Sequence, residues 1–378
     1  MPHWSVYTGN SEPHDGIDDL PAPPPWRAFD GEPVLPPPRD TDDRAAVSPD
    51  RAHRARTYVA APETVQLVNA ALVLRRPLLV TGPPGTGKSS LAYAVARELR
   101  LGPVLRWNIT SRSALSDGLY QYDPLSRLYA ARRAAWRTGD ETPPGGEASG
   151  TAGRGTGGRG TGGRGTGGPE SGPEGGPPAS ADIEEHLRLG PLGTALLPYR
   201  RPRVLLVDEI DKSDLDLPND LLNVLEEGQY EIPELMRAAR RFAEGSTAEV
   251  LADDTDEPVT VSRGRVRCHA FPFVVLTSNG EREFPPAFLR RCVRLRLRRP
   301  DREQLTEIVR AHLDTPAGDA EHLINRFLTR AADGELATDQ LLNALYLTGV
   351  AGLDADSRDA LADELMPYLS ATADGDGF

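Results

Sequence analysis

Eight consecutive residues, Gly82-Pro83-Pro84-Gly85-Thr86-Gly87-Lys88-Ser89, have the types and spacing of a loop that wraps phosphate. Gly82, Gly85 and Gly87 let the backbone curl so that its N–H groups converge on phosphate oxygens. A helix starting near Lys88 would add its positive end to the same anion hole. Lys88 would reach the β and γ phosphates of ATP and the Ser89 hydroxyl would ligate Mg²⁺, with Pro83, Pro84, Thr86 and Ser90 completing the nucleotide-binding stretch. Lysine is scarce here: Lys88 and Lys212 are the only two among 43 basic residues. At these frequencies the motif arises by accident on the order of 0.002 times per chain of this length.

The second chemical signal is Arg203-Val204-Leu205-Leu206-Val207-Asp208-Glu209, an aliphatic run ending in two carboxylates. A strand apolar at every position is buried on both faces, as in a parallel sheet, and its C-terminal end opens onto the ligand crevice of such folds. Asp208 would hold Mg²⁺ through its water shell. Glu209 would orient and deprotonate an attacking water.

These groups need a scaffold of alternating strands and helices. Pro77 to Thr81 reads as a buried strand entering the loop, and Ser90 to Leu99 has helical spacing behind it. Pro62 opens a preceding helix with Val65, Val68 and Leu72 on one face. Val104 to Ile109 and Phe273 to Asn279 read as further strands, and Leu125 to Trp136 as a helix. Ile183 to Leu187 and Gly193 to Leu197 suggest a helix approaching the sheet.

The boundaries follow composition. Residues 1–56 form a proline-rich, acidic arm that cannot build a core alone and is expected to be disordered or docked, with Trp4, Trp26 and Phe29 as the side chains that could pin it. Residues 57–300 would be the nucleotide-binding core. Within it, 138–181 is a Gly-rich insertion with three Gly-Arg-Gly-Thr-Gly copies, expected to be flexible and solvated. Residues 301–370 read as helical, with Asp301 and Gln304 as a helix-start pair, and 371–378 as a tail.

A length of 378 residues suggests two structural units. The formal charge of -13 and pI near 5.1 oppose a nonspecific grip on nucleic acid or anionic lipid. Cys268 and Cys292 have no metal-ligand or redox-pair spacing, which fits a reducing compartment. The N-terminus lacks a basic-then-apolar leader and no run of about 18 apolar residues occurs, so a cytoplasmic location away from membranes is expected.

In its ordered set of motifs the chain resembles AAA+ ATPases, and within them the MoxR-like group. The carriers are GPPGTGKS at 82–89, LLVDEIDKSD at 205–214, PNDLLNVLEEGQYEIPE at 218–234, VVLTSNGERE at 274–283 and PPAFLRRCV at 285–293. The resemblance implies an α/β fold: a P-loop three-layer αβα core with a parallel five-stranded sheet, followed by a small all-helical lid. It implies that Asn279 is the first sensor, touching the γ phosphate or the attacking water. It further implies that Arg291, with Arg290 close behind, is an arginine finger donated to the neighbouring subunit, so that hydrolysis needs a homo-oligomeric ring, expected to be a hexamer. Lys212 falls in a stretch that lies near the subunit interface in the family. The family's partner is a protein client, often one carrying a von Willebrand factor A domain. One departure stands out. Thr338-Asp339-Gln340-Leu341-Leu342-Asn343 offers no second-sensor arginine, which leaves Arg326 or Arg330 as replacements.

The expected function is therefore Mg²⁺-dependent ATP hydrolysis driving chaperone-like remodelling. A weakly hydrolysing ATP-gated scaffold is the alternative that the missing arginine favours. A DNA-linked motor is a third reading, which the acidic charge opposes. No Asn-Lys-x-Asp segment for reading guanine is present.

Overall fold

The computed structural model describes residues 4–37, 48–138, 181–240, 247–253, 255, 258–313, 317–333, 336–351 and 355–367. Of the Gly-rich insertion expected at 138–181, residues 139–180 lie outside them, as does the expected tail. An N-terminal strap leads to α1 (Pro49–Thr57) and α2 (Pro62–Leu74), after which strands and helices alternate: β1 (Leu78–Thr81), α3 (Lys88–Glu98), β2 (Leu105–Asn108). A second run follows, with α4 (Leu115–Leu119), β3 (Tyr120–Tyr122), α5 (Pro124–Thr138), α6 (Ala181–Glu184), β4 (Leu187–Leu189) and α7 (Pro191–Ala195). It returns to β5 (Val204–Asp208). Next come α8 (Leu217–Glu227), β6 (Gln229–Glu231), α9 (Pro233–Ala239), β7 (Thr247–Leu251), β8 (Pro258–Ser262) and β9 (Arg265–Arg267). The core closes with β10 (Phe273–Ser278), α10 (Pro286–Leu289) and β11 (Val293–Arg296).

Five strands form the main sheet in the order β11-β1-β10-β5-β2, with every pair parallel. The fold is therefore the expected α/β one. Leu78 to Val80, Val204 to Val207 and Phe273 to Leu276 are all buried, because helices cover both faces. The register aligns the C-terminal strand ends: Thr81 lies opposite Ser278, and Asn108 opposite Asp208. The chemistry-bearing residues thus emerge at one edge.

A second sheet, β3-β4-β7-β8-β9-β6, was not foreseen. Its strands are three to five residues long, too short to carry a decisive two-residue period. The stretch expected as a helix at 183–197 instead breaks into α6, β4 and α7. Leu187 and Leu189 face inward while Arg188 between them is exposed, which is strand alternation.

The lid comprises α11 (Arg302–Leu313), α12 (Ala317–Asp333), α13 (Thr338–Ala351) and α14 (Ala355–Leu365) around Leu305, Val309, Leu323, Phe327, Leu341 and Met366. The Asp301 carboxylate accepts the Gln304 N–H at 2.9 Å and the Gln304 amide oxygen accepts the Asp301 N–H at 3.4 Å, a reciprocal helix start.

The strap packs on the core mostly by other residues than the aromatic ones singled out. Trp26 is 77% exposed and Trp4 only partly buried, whereas Val6, Tyr7 and Ile17 are buried. Two buried polar side chains fasten it. Asn69 on α2 accepts from Val6 N and Tyr7 N and donates to Tyr7 O. Glu98, at the end of α3 and fully buried, accepts from the amides of Thr8, Gly9 and Ser11 and from the Thr8 hydroxyl. Bonds to a charged acceptor are worth about 1.5–3 kcal/mol each. Four of them offset the several kcal/mol that burying one carboxylate costs, so the docked strap is the stable arrangement. Phe29, the third expected pin, does engage, stacking on Phe271 at 5.5 Å.

Candidate active site

β1 delivers the chain into the glycine loop, where Gly85 and Gly87 adopt φ of +72° and +82° that only glycine takes without strain. Space matters as much as φ at Gly85: a Cβ there would lie 2.5 Å from the Ala337 Cβ and 3.0 Å from Thr338 N. The loop is therefore pressed against the start of the lid helix α13. Lys88 opens α3 and is 9% exposed, its Nζ donating to Gly82 O and Pro83 O at 2.8 Å each. Burial lowers its pKa, while the carboxylates of Asp211, Asp208 and Glu209 pull it back up. A lysine so placed is a strong donor to incoming phosphate.

Ser89 and Asp208 meet as expected: the serine hydroxyl donates to Asp208 Oδ1 at 2.7 Å. These are adjacent hard oxygen donors, the kind Mg²⁺ takes alongside phosphates and waters. Of three residues that the sequence reading missed, two fix the pair and the third orders the turn beside it. Thr277, buried at the end of β10, donates to Asp208 Oδ1 at 2.6 Å and accepts the Glu209 N–H at 2.9 Å. Arg106 on β2 holds Asp208 Oδ2 at 3.0 Å. Asp211 is 3% exposed, and its Oδ2 accepts from the Ser278 hydroxyl and the amides of Asn279, Gly280 and Glu281. That carboxylate shapes the turn carrying Asn279. Polar Thr277 and Ser278 at the end of an otherwise aliphatic strand were the readable signal.

Glu209 sits at φ +62°, a costly backbone state for a residue with a side chain. Its carboxylate pairs with Lys212 Nζ at 2.8 Å. The second lysine therefore contacts the proposed base directly.

A cavity of about 1140 Å³ joins these groups, the size of the larger ligand sites of roughly 300–1,000 Å³. Gly85, Thr86, Gly87, Lys88, Ser89, Ser90, Asp208, Glu209, Thr277 and Asn279 line it, together with residues of α1 and the lid. Arg290 and Arg291 do not. Arg290 is exposed and Arg291 bonds Glu226 through Nε at 2.7 Å. The two lid arginines considered as sensors are displaced from the cavity as well: Arg326 and Arg330 both pair with Asp363 on α14. They hold the lid's helices together. What faces the cavity from the lid includes Thr338, Asp339, Asn343, Tyr346 and His312. The His312 Nδ1 lies 3.1 Å from His53 Nε2 of α1.

Residues 78–119, which hold the strand, the glycine loop and its helix, match the family model for the ATPase family associated with various cellular activities (AAA). Among solved structures, C. elegans PCH-2 is similar at 12% identity and a TM-score of 0.33, over 83% of this chain and 65% of that one. The chain thus spans less than two thirds of that protein's length. No curated protein matches the sequence.

Proposed function

We propose that the protein is a Mg²⁺-dependent ATP hydrolase of the MoxR-like AAA+ group. It works in the cytoplasm as a homo-oligomeric ring, a hexamer, to remodel a protein client of the von Willebrand factor A class. The observation that supports hydrolysis best is the Ser89 hydroxyl on Asp208 at 2.7 Å with Glu209 next in the chain and Lys88 lining the same cavity. The loop amides and Lys88 would bind the β and γ phosphates, holding the terminal phosphorus at the strand ends. Mg²⁺, when held by Ser89 and Asp208, would neutralise charge on the phosphate oxygens. Glu209 takes the proton of the attacking water, Asn279 positions that water or the γ phosphate, and Arg291 of a neighbouring copy offsets the charge that develops.

The Glu209–Lys212 pair supports a second reading, an ATP-gated scaffold that hydrolyses slowly, because the ammonium group occupies a carboxylate oxygen that would have to face the attacking water. Turnover measured against protein concentration separates the two. A motor gains activity per subunit as rings assemble, and a scaffold stays slow throughout. The direct test of the hydrolase is Glu209→Gln. It should bind MgATP with near-wild-type affinity, lose at least about 100-fold in phosphate release, and retain ring and client in affinity capture. Unchanged phosphate release would remove Glu209 from the chemistry.

A further inference from the structure

Residues 25–31 of the strap cross the C-terminal ends of two core helices. Arg27 is 9% exposed and spends its whole fork there. Its Nε and Nη2 donate to Arg75 O at 3.0 and 2.6 Å, at the left-handed cap of α2. Its Nη1 donates to Leu225 O at 3.3 Å and Glu226 O at 3.2 Å in the last turn of α8. Helix C-termini carry carbonyls without intrahelical partners and a partial negative charge, so one buried guanidinium satisfies both ends. The Phe271 and Phe29 rings flank it at 4.6 and 5.5 Å. Phe29 also presses on the α8 cap, where a Cβ on Gly228 would lie 2.3 Å from its ring.

Both tied elements continue into the arginine pair Arg290 and Arg291, the first exposed and the second half-buried. The Glu226 side chain accepts from Arg291 Nε at 2.7 Å. Arg76, next to the carbonyl that Arg27 binds, donates to Arg290 O at 3.2 Å. Among the described residues only the Nε of Arg291 is engaged, which leaves its terminal nitrogens available to another molecule.

We propose that Arg27 is a positioning residue for the arginine that each subunit gives to its neighbour's ATP site. The strap thereby governs hydrolysis next door rather than nucleotide binding at home. The proposal rests on the in-trans arginine read above. Arg27 supplies the hydrogen bonds that a helix end otherwise lacks. Without it the last turn of α8 frays, Glu226 no longer has one place, and Arg291 swings. A displacement of about 1 Å at a catalytic group costs about 100-fold in rate.

Subunit mixing tests this on the full-length protein. Arg27→Met should keep its own MgATP affinity while turnover falls about 100-fold. Adding equal Glu209→Gln subunits, themselves inactive but with an undisturbed Arg291, should restore turnover, because they supply the arginine to intact ATP sites. Glu226→Gln, a change at a half-exposed side chain, should behave the same way and decides the matter if Arg27→Met does not fold. Mixing Arg291→Ala with Glu209→Gln is the control. If the control recovers and the Arg27→Met and Glu226→Gln mixtures do not, Arg27 acts otherwise and the proposal fails. Wild-type turnover in Arg27→Met alone overturns it as well. If the control also stays inactive, the in-trans arginine itself is wrong and the proposal falls with it.

Discussion

A single hydroxyl sets the geometry of the two carboxylates. Thr277 Oγ1 donates to Asp208 and accepts from the Glu209 backbone, so it fixes both the acid proposed to hold Mg²⁺ and the proposed base that follows it. Thr277→Val keeps the shape and removes the hydroxyl. Orienting partners of this kind cost 10–100-fold in metal affinity or activity when lost. We expect turnover to fall by about that factor and half-saturating Mg²⁺ to rise, read from an ATPase titration against the metal. An unchanged Mg²⁺ requirement would show that Asp208 needs no such support. At this scale the sequence was generous with the residues proposed to touch phosphate or metal, since loop glycines, Lys88, Ser89, Asp208 and Glu209 have a required order along the chain and, Gly82 apart, line one cavity. It was silent on Arg106 and Asp211, whose roles come from strand neighbours that only the sheet order β11-β1-β10-β5-β2 brings together. Arg326 and Arg330 illustrate the converse. Their charge type suited a phosphate sensor, but pairing with Asp363 across the lid claimed them.

Among elements, α1 and α11 meet through His53 and His312, whose rings pack edge to face with centroids 4.9 Å apart. Burial, with His53 adding to it, pushes His312 from 6.5 down to about 4. A histidine whose folded pKa is lowered stabilises the closed arrangement fully above its ordinary pKa. That contribution is lost as pH falls from 6.5 towards about 4, because the opened state takes up the proton first. Asp50, Arg54 and Glu63 line the same cavity. The difference in Tm between wild type and His312→Gln should therefore narrow steadily over that window. A difference independent of pH would mean that the pair does not couple protonation to lid contact. The long periodic helices and buried strands were legible because each carries its own pattern. The second sheet was not, since its pieces are three to five residues long and gain their strand character from one another.

Over the whole molecule, core, α1 and lid line one cavity, and the strap braces the helices behind it. The strap fastens α2 to α3 through Asn69 and Glu98, α1 packs beside the glycine loop, and Gly85 touches Ala337 of the lid. Pattern reading found the proline-rich segment and one of its anchors, Phe29, but missed the others, because proline and acid content does not reveal which small apolar groups, Val6 and Ile17 among them, find a pocket. Among the described residues no helix is long and apolar enough to cross a membrane. A ligand bound where these units meet should stabilise all of them together. The most direct measurement is the thermal unfolding of wild type and Lys88→Ala with and without MgATP. Saturating a site at a hundredfold excess over Kd adds about 2.7 kcal/mol to stability. Wild type should therefore shift upward by several degrees with MgATP, and Lys88→Ala should not shift. No shift in wild type, or an equal shift in both, would contradict the account.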